Sequence, residues 1–292
     1  MLAPCRLSRA AGLCSGKAVC HYFKNCYITG MSESAVKNVL ITGAAKRIGR
    51  ALALSLAEAG WSVAVHYAGS AEYARSAAQE IAGLGQRAVT LQADLQSAEA
   101  VGALLPAAAE ALGPITALIN NASLFERDTA HTITPESWDA HLNINLRAPA
   151  LLMRDFANQP HWQTPLAPDA DGAIINIIDQ RVWRLTPDFA SYTVSKTGLW
   201  TLTQSFAQAL APQHIRVNAI GPGPTLPNPR QAQSEFDKQA GLVPLGHGGD
   251  PTDIAAAAHY LLSARAVTGQ MIAVDGGQHL AWQTPDVTQV VE

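Results

Sequence analysis

Three residues carry chemistry by type and spacing: Asp179, Tyr192 and Lys196. Tyr192 and Lys196 stand four apart in Tyr192-Thr193-Val194-Ser195-Lys196, so a helix puts them on one face. A phenol beside an ammonium can move a proton, because the ammonium favours the phenolate and draws the Tyr pKa down from about 10 toward working pH. Held beside a hydride donor, the pair completes a reduction, with hydride going to carbon and a proton to the heteroatom. Asp179 comes 13 positions before Tyr192. An ionised Asp only accepts hydrogen bonds, so it suits a substrate rich in donors. It can also orient Tyr192 or raise its basicity.

The elements that must hold these residues are legible nearby. Residues 172–178 read as a strand ending at Asp179, and the run from Tyr192 opens a helical pattern. Tyr-x-x-x-Lys alone also fits a half-buried Tyr with a solvated Lys, so the motif needs support. Residues 36–41 read as a second strand running into Thr42-Gly43-Ala44-Ala45-Lys46-Arg47-Ile48-Gly49. Ile48, Leu52 and Leu56 then repeat at helical spacing, and Gly60 ends that helix. Strand, glycine turn and helix start are the parts of a dinucleotide site. Gly43 allows the tight turn, Gly49 lets helix and strand approach, and free N–H groups with the helix dipole meet the pyrophosphate. Lys46 and Ile48 flank Arg47 in this turn. A cation at a helix start opposes the dipole, so Arg47 wants an anionic partner or an electron-rich substrate ring; a solvated Arg is the alternative.

Residues 62–67 form a further strand ending in His66-Tyr67-Ala68-Gly69-Ser70. An NAD site places Asp or Glu here on the ribose 2′-OH, and none occurs before Glu72, which argues for NADP. Ser70, His66, Lys46 and Arg47 are the candidates for its 2′-phosphate. Residues 89–95 read as a strand with Asp94 at its end, and 118–123 as a strand with the exit loop Asn120-Asn121-Ala122-Ser123. Thr134-Pro135-Glu136 starts a helix that carries Asn145. Seven strands can be placed, the last at 271–274. The alternation implies one doubly wound α/β domain, a Rossmann-type parallel sheet in three layers with right-handed crossovers. Ligands in such sheets lie beyond the strands' carboxyl ends, which points to loops 123–133, 179–189 and 221–245. Arg181 and Trp183 either line the pocket or sit at the surface. The third loop, with Pro222, Gly223, Pro227, Pro229 and Arg230, reads as a substrate lid.

Taken together, these motifs resemble the short-chain dehydrogenase/reductase family over about residues 36–282. Most of that family has Ser where Asp179 stands and Gly or Ala where Arg47 stands. Asp179, Arg47, and Ser123 with Phe125 two residues on, resemble the pteridine reductases within it. The resemblance implies that Asn145 supports a water near Lys196, that Lys196 also holds the nicotinamide ribose, and that Asp94 borders the adenine. It places Asn121, Ala122 and Ser123 along the cofactor, Pro222 and Gly223 near the carboxamide, and Phe125 on the pterin ring. It implies a homotetramer, with Leu146, Leu151, Leu152, Leu199, Trp200, Leu202 and Phe206 supplying apolar contact surface. Gly69 departs from the pattern, where relatives often carry a basic residue. The expected activity is NADPH-linked hydride transfer to a C=N bond of a dihydropterin or dihydrofolate, with Arg47, Ser123, Phe125, Asp179 and Tyr192 on the substrate. The alternatives are a carbonyl or 3-oxoacyl reductase of the same family and a nucleotide-sensing protein without catalysis.

Composition excludes other classes. Net charge is −3 and no basic stripe suggests nucleic acid. No apolar run is long enough to span a bilayer, and a cytoplasmic protein is expected. All four cysteines, Cys5, Cys14, Cys20 and Cys26, lie in residues 1–30, a segment with Arg and Lys but no Asp or Glu. They show no metal-like spacing, so no metal site is expected. Residues 1–30 fit a targeting peptide or, better, an upstream extension that is disordered or outside the working protein. Met31 then begins the domain 31–292.

Overall fold

The computed structural model describes residues 36–162, 171–228 and 231–283. The segment 1–30, the lid residues Pro229 and Arg230, and most of the loop at 165–172 lie outside the described residues. The chain alternates β1 (Asn38–Ile41), α1 (Arg47–Glu58), β2 (Ser62–Tyr67), α2 (Ala71–Gly83), β3 (Ala88–Gln92), α3 (Ala98–Leu112) and β4 (Ala117–Asn120). Then come α4 (Pro135–Leu142), α5 (Ala148–Ala157), β5 (Gly172–Ile177), α6 (Ala190–Leu210), β6 (Ile215–Pro222), α7 (Gln233–Gly241), α8 (Pro251–Ser263) and β7 (Met271–Val274).

The seven strands pair in parallel in the order β3-β2-β1-β4-β5-β6-β7. Every residue of β1, β4 and β5 is buried, as expected of a parallel sheet covered on both faces. Side-chain alternation divides the core in two. Leu40, Leu118, Ile174 and Val217 pack against α3, α5 and α6, while Val39, Ile41, Val65 and Ile175 pack against α1, α2 and α8. From β1 the chain builds outward to β3, then returns to the opposite side of β1 as β4. That reversal opens a crevice over the carboxyl ends of β1 and β4, where ligands of such sheets bind.

The helix that starts at Thr134 is not continuous. Thr134 caps it by accepting the Ser137 N–H at 3.2 Å. Residues Asn143–Arg147 then form a wider π turn before α5. Pro149 explains it, because Pro has no N–H to donate and its ring crowds the carbonyl four residues back, that of Asn145. The wide turn carries Asn145, which is fully buried. Of the apolar residues on α5, α6 and this turn, Leu152 and Leu199 are buried; Leu146, Leu151, Trp200, Leu202 and Phe206 remain half-buried at the surface. No described helix is long and apolar enough to cross a membrane.

Candidate active site

The crevice is a cavity of about 820 Å³ reaching from the glycine turn after β1 to Asp179 after β5 and on to α7. Its first end is built from backbone. Gly43 takes a left-handed φ of +64°, and its N–H donates to Nδ1 of His66 at 3.0 Å. Nε2 of His66 donates to the Ala93 carbonyl at 3.1 Å. Burial depresses the His66 pKa, which keeps the ring in the neutral form this arrangement requires, although the Ala93 contact pulls the other way. A Cβ on Gly49 would lie 2.2 Å from the Gly43 carbonyl oxygen, so no side chain fits there. Thr42 stitches β1 to the exit of β4, its hydroxyl accepting the N–H groups of Asn121 at 2.9 Å and Ala122 at 3.0 Å. The amide of Asn121 in turn donates to the carbonyls of Thr42 and Gly43. The result is a rigid cradle of backbone at the start of α1, shaped to take a dinucleotide's phosphates.

Arg47 adopts a left-handed φ of +55°, a conformation that favours glycine. Its guanidinium donates to the carbonyls of Pro227, at 2.8 Å, and Leu226, at 3.3 Å, so it ties the cradle to the lid. Lys46 lies 3.9 Å over the Tyr73 ring at the cavity's edge.

At the second end, the Tyr192 hydroxyl donates to Oδ2 of Asp179 at 2.9 Å. Oδ1 of Asp179 accepts the Arg181 N–H at 2.7 Å. Nζ of Lys196, buried, donates to the Ile177 carbonyl at 2.8 Å and lies 5.7 Å from the centre of the Tyr192 ring. Burial raises the Asp179 pKa and lowers that of Lys196 to about 8, Asp179 holding the latter back. The Tyr192 pKa goes up, well above the usual phenol value, first through burial and then through the neighbouring Asp179 charge. This corrects the expectation that Lys196 draws Tyr192 toward neutral pH. One ammonium donor goes to a backbone carbonyl, and the charge that acts most on the phenol, that of Asp179, is negative. Tyr192 is therefore a protonated phenol, a donor.

Behind this pair lies a buried network. Ser191 donates through its hydroxyl and its N–H to Asp128, and the same hydroxyl lies 2.9 Å from Nδ1 of His141. Asp128 also accepts Phe189 N–H on its carbonyl at 2.7 Å, holding Phe189 at a left-handed φ of +63°. Phe189 stacks on Phe125, centroids 4.4 Å apart, and Phe125 meets the Tyr192 ring edge-on at 4.7 Å. Gln180, buried, lines the cavity, and its Oε1 has no hydrogen-bond partner among the described residues.

The family described as enoyl-(acyl carrier protein) reductase matches residues 43–279. The chain is a short-chain dehydrogenase/reductase. A 3-oxoacyl-[acyl-carrier-protein] reductase of Staphylococcus aureus is 34% identical over 248 residues, 84% of this chain and 98% of that protein. A 3beta-hydroxysteroid dehydrogenase of Eggerthella lenta is 34% identical over 251 residues, 84% of this chain and 94% of its own. The crystal structure of FolM alternative dihydrofolate reductase 1 from Brucella canis, complexed with NADP, is 45% identical. It superposes with a TM-score of 0.80, covering 86% of this chain and 97% of that one.

The enzyme gathers most of the residues picked out by spacing into this one cavity. Gly43, Lys46, Arg47, Ile48, His66, Asp94, Asn121, Ala122 and Ser123 line its first half. Phe125, Asp179, Tyr192, Lys196, Pro222 and Gly223 line the second. Ser70 does not line the cavity; it precedes α2. His66 faces it, but both ring nitrogens are taken by backbone, leaving neither for a phosphate. Asn145 stands behind the wall, its amide shared between the Leu124 backbone and the Ser195 hydroxyl. It positions the loop and α6 rather than facing the cavity. Trp183 is exposed and packs against Trp200 and His279, while Arg181 lines the cavity over Phe189. Spacing missed Thr42, Gln180, Phe189 and the Asp128–Ser191–His141 network. Among the described residues no cluster of His, Cys, Asp and Glu is placed to hold a metal ion.

Proposed function

We propose that this enzyme is an NADPH-dependent reductase that places hydride on a C=N bond of a pterin, of the dihydropterin or dihydrofolate type. The observation that carries the reading is the 2.9 Å hydrogen bond from Tyr192 to Asp179, a carboxylate where most of the family has Ser. Each Asp179 oxygen accepts one hydrogen bond and has accepting capacity left. A pterin brings matching donors, its ring N–H and 2-amino groups. A ketone brings only an acceptor, which a carboxylate repels. The FolM structure, an alternative dihydrofolate reductase holding NADP, supports both substrate class and cofactor.

The glycine cradle fits a dinucleotide, since only backbone can occupy the Gly43–Gly49 approach. The lack of an acidic residue at the end of β2, with Lys46 at the cavity's edge, favours NADP over NAD. Bound there, NADPH supplies the hydride. Tyr192 Oη, held as a phenol by burial and Asp179, gives its proton to the ring nitrogen, directly or through a water. Lys196 fixes the end of β5 through Ile177 and offers its remaining donors to the nicotinamide ribose. Asn145 and Thr42 hold the two walls in place. The half-buried apolar residues on α5 and α6 support assembly as a homotetramer, which light scattering tests; a monomer at micromolar concentration removes that part of the proposal.

The Staphylococcus relative favours a second reading, reduction of a 3-oxoacyl or other carbonyl substrate. NADPH oxidation measured with dihydrobiopterin, dihydrofolate and a panel of ketones separates the two. Turnover of ketones without pterins overturns the proposal.

A further inference from the structure

The glycine turn after β1 leans on one titratable side chain. The His66 backbone carbonyl accepts the Ala44 N–H at 2.9 Å, its Nδ1 accepts the Gly43 N–H at 3.0 Å, and its Nε2 donates to the Ala93 carbonyl at 3.1 Å. Ala93 leads into Asp94 beyond β3. One ring therefore joins the phosphate end of the cradle to the wall past β3. Only one form of the ring makes both contacts. A backbone N–H can only donate, so Nδ1 carries no proton; a carbonyl can only accept, so Nε2 carries one. An imidazolium has a proton on both nitrogens and accepts nothing. Protonation thus breaks the bond to Gly43 and sets two N–H groups against each other. His66 is buried, so the lost bond is not replaced from solvent. The Gly43 carbonyl also holds the Asn121 amide, at 3.2 Å, so a turn that shifts disturbs the wall after β4 as well.

We propose that His66 is a positioning residue that closes the cradle only as neutral imidazole, so that NADPH binding is coupled to loss of a proton from His66 and weakens as the solution turns acid. This rests on the cradle being the site of the NADPH phosphates. Burial lowers the His66 pKa from its ordinary 6.5, with the Ala93 contact opposing, so the coupling lies on the acid side of neutrality. The charged groups around the ring are turned to other partners. Asp94 accepts the Gln96 N–H at 2.9 Å, Lys46 lies over Tyr73, and Arg47 holds the carbonyls of Leu226 and Pro227. The helices α2 and α3, packed against β2, add no charged residue to the cavity wall.

The test is NADPH affinity, followed by nucleotide fluorescence between about pH 8 and 5, in the native enzyme, His66→Asn and Gly49→Ala. Asn keeps an acceptor for Gly43, gives up the reach to Ala93 and does not titrate. Loss of that one hydrogen bond is expected to weaken binding roughly 2–10-fold at about pH 8. Below pH 6.5 the native Kd is expected to climb relative to that of the Asn variant, by at most about tenfold per pH unit for one proton. The 2′-phosphate of NADPH titrates near pH ~6, equally in both proteins, and so cancels from the ratio. A Kd ratio that stays constant down to about pH 5 overturns the coupling. A native Kd that falls relative to the variant in acid also overturns it, by placing a charged His66 on a phosphate. Should the Asn variant not fold, imidazole nitrogen NMR of the native complex decides: a ring protonated on Nε2 alone supports the proposal, and one protonated on Nδ1 overturns it. Native affinity in Gly49→Ala overturns the cradle as the NADPH site and the His66 coupling with it. Weakened binding in Gly49→Ala beside a constant Kd ratio for His66→Asn removes the coupling alone.

Discussion

Asp128 accepts both the N–H of Ser191, at 3.2 Å, and the Ser191 hydroxyl, and so fixes the first turn of the helix that carries Tyr192 one residue later. A hydrogen bond to a charged group contributes about 1.5–3 kcal/mol. Asp128→Asn removes the charge at constant shape. It should lower Tm by roughly 3–12 °C for a domain of this size. It should also reduce kcat more than it weakens NADPH binding, because the cradle after β1 is untouched. Thermal melts and cofactor titration check both parts; loss of cofactor binding with normal kcat would contradict the positioning role.

The alkaline limb of activity should follow Lys196. Burial lowers its pKa from 10.5 to about 8, so the ammonium that holds the Ile177 carbonyl loses its proton as pH rises through that value. Profiles of kcat/KM against pH should fall there, and the fall should vanish in Lys196→Arg if any turnover survives. Stability should move the other way. The unfolded chain keeps the Lys proton up to about 10.5 while the folded chain has released it, so this group's contribution rises between about pH 8 and 10.5. A kcat/KM profile flat well past pH 8 would exclude Lys196 as the titrating group.

Tyr192→Phe keeps the ring, its edge contact with Phe125 and its place in the core, and removes the hydroxyl with its contacts to Asp179 and Ser123. Loss of a general acid costs roughly 10²–10⁴-fold in rate. Turnover should fall by that amount at nearly unchanged cofactor affinity. Near-normal kcat would point to another acid.

Gly49→Ala places a methyl group 2.2 Å from the Gly43 carbonyl oxygen and 2.5 Å from the Asn121 amide. The first contact displaces backbone of the cradle, and the second displaces the Asn121 side chain that braces it. NADPH binding, followed by nucleotide fluorescence, should weaken more than tenfold; native affinity would mean that the phosphates lie elsewhere.

The sheet was legible because a buried parallel strand is a short apolar run between turn signals, and seven such runs stand at regular spacing. Asp179, Tyr192 and Lys196 were legible because their spacing matches a strand end followed by a helix. Three things were hidden from the sequence. The direction of the Tyr192 pKa depends on burial and on which group the ammonium faces, and neither is written in spacing. The Asp128–Ser191–His141 network joins residues as much as 63 positions apart. The break in the helix before α5 was signalled by Pro149, but reading a Pro as a π turn needs the carbonyl it crowds.

Asp179→Ser restores the residue most of the family has, and separates the two readings of the site. If Asp179 accepts from pterin donors, Ser loses a charge-assisted contact worth about 1.5–3 kcal/mol, or roughly a 10–150-fold drop in kcat/KM for pterins. NADPH binding should hold, since no residue of the glycine cradle touches Asp179. Removing the carboxylate also removes the negative charge that helps raise the Tyr192 pKa, so any alkaline limb due to Tyr192 should move to lower pH. Ketone reduction should appear or rise, because a Ser hydroxyl donates to a carbonyl that a carboxylate repels. Kinetics on dihydrofolate, dihydrobiopterin and simple ketones, run side by side in both proteins, measure all of these. Unchanged pterin kinetics in the Ser variant would make Asp179 incidental to recognition and shift the weight to the carbonyl substrate of the Staphylococcus relative.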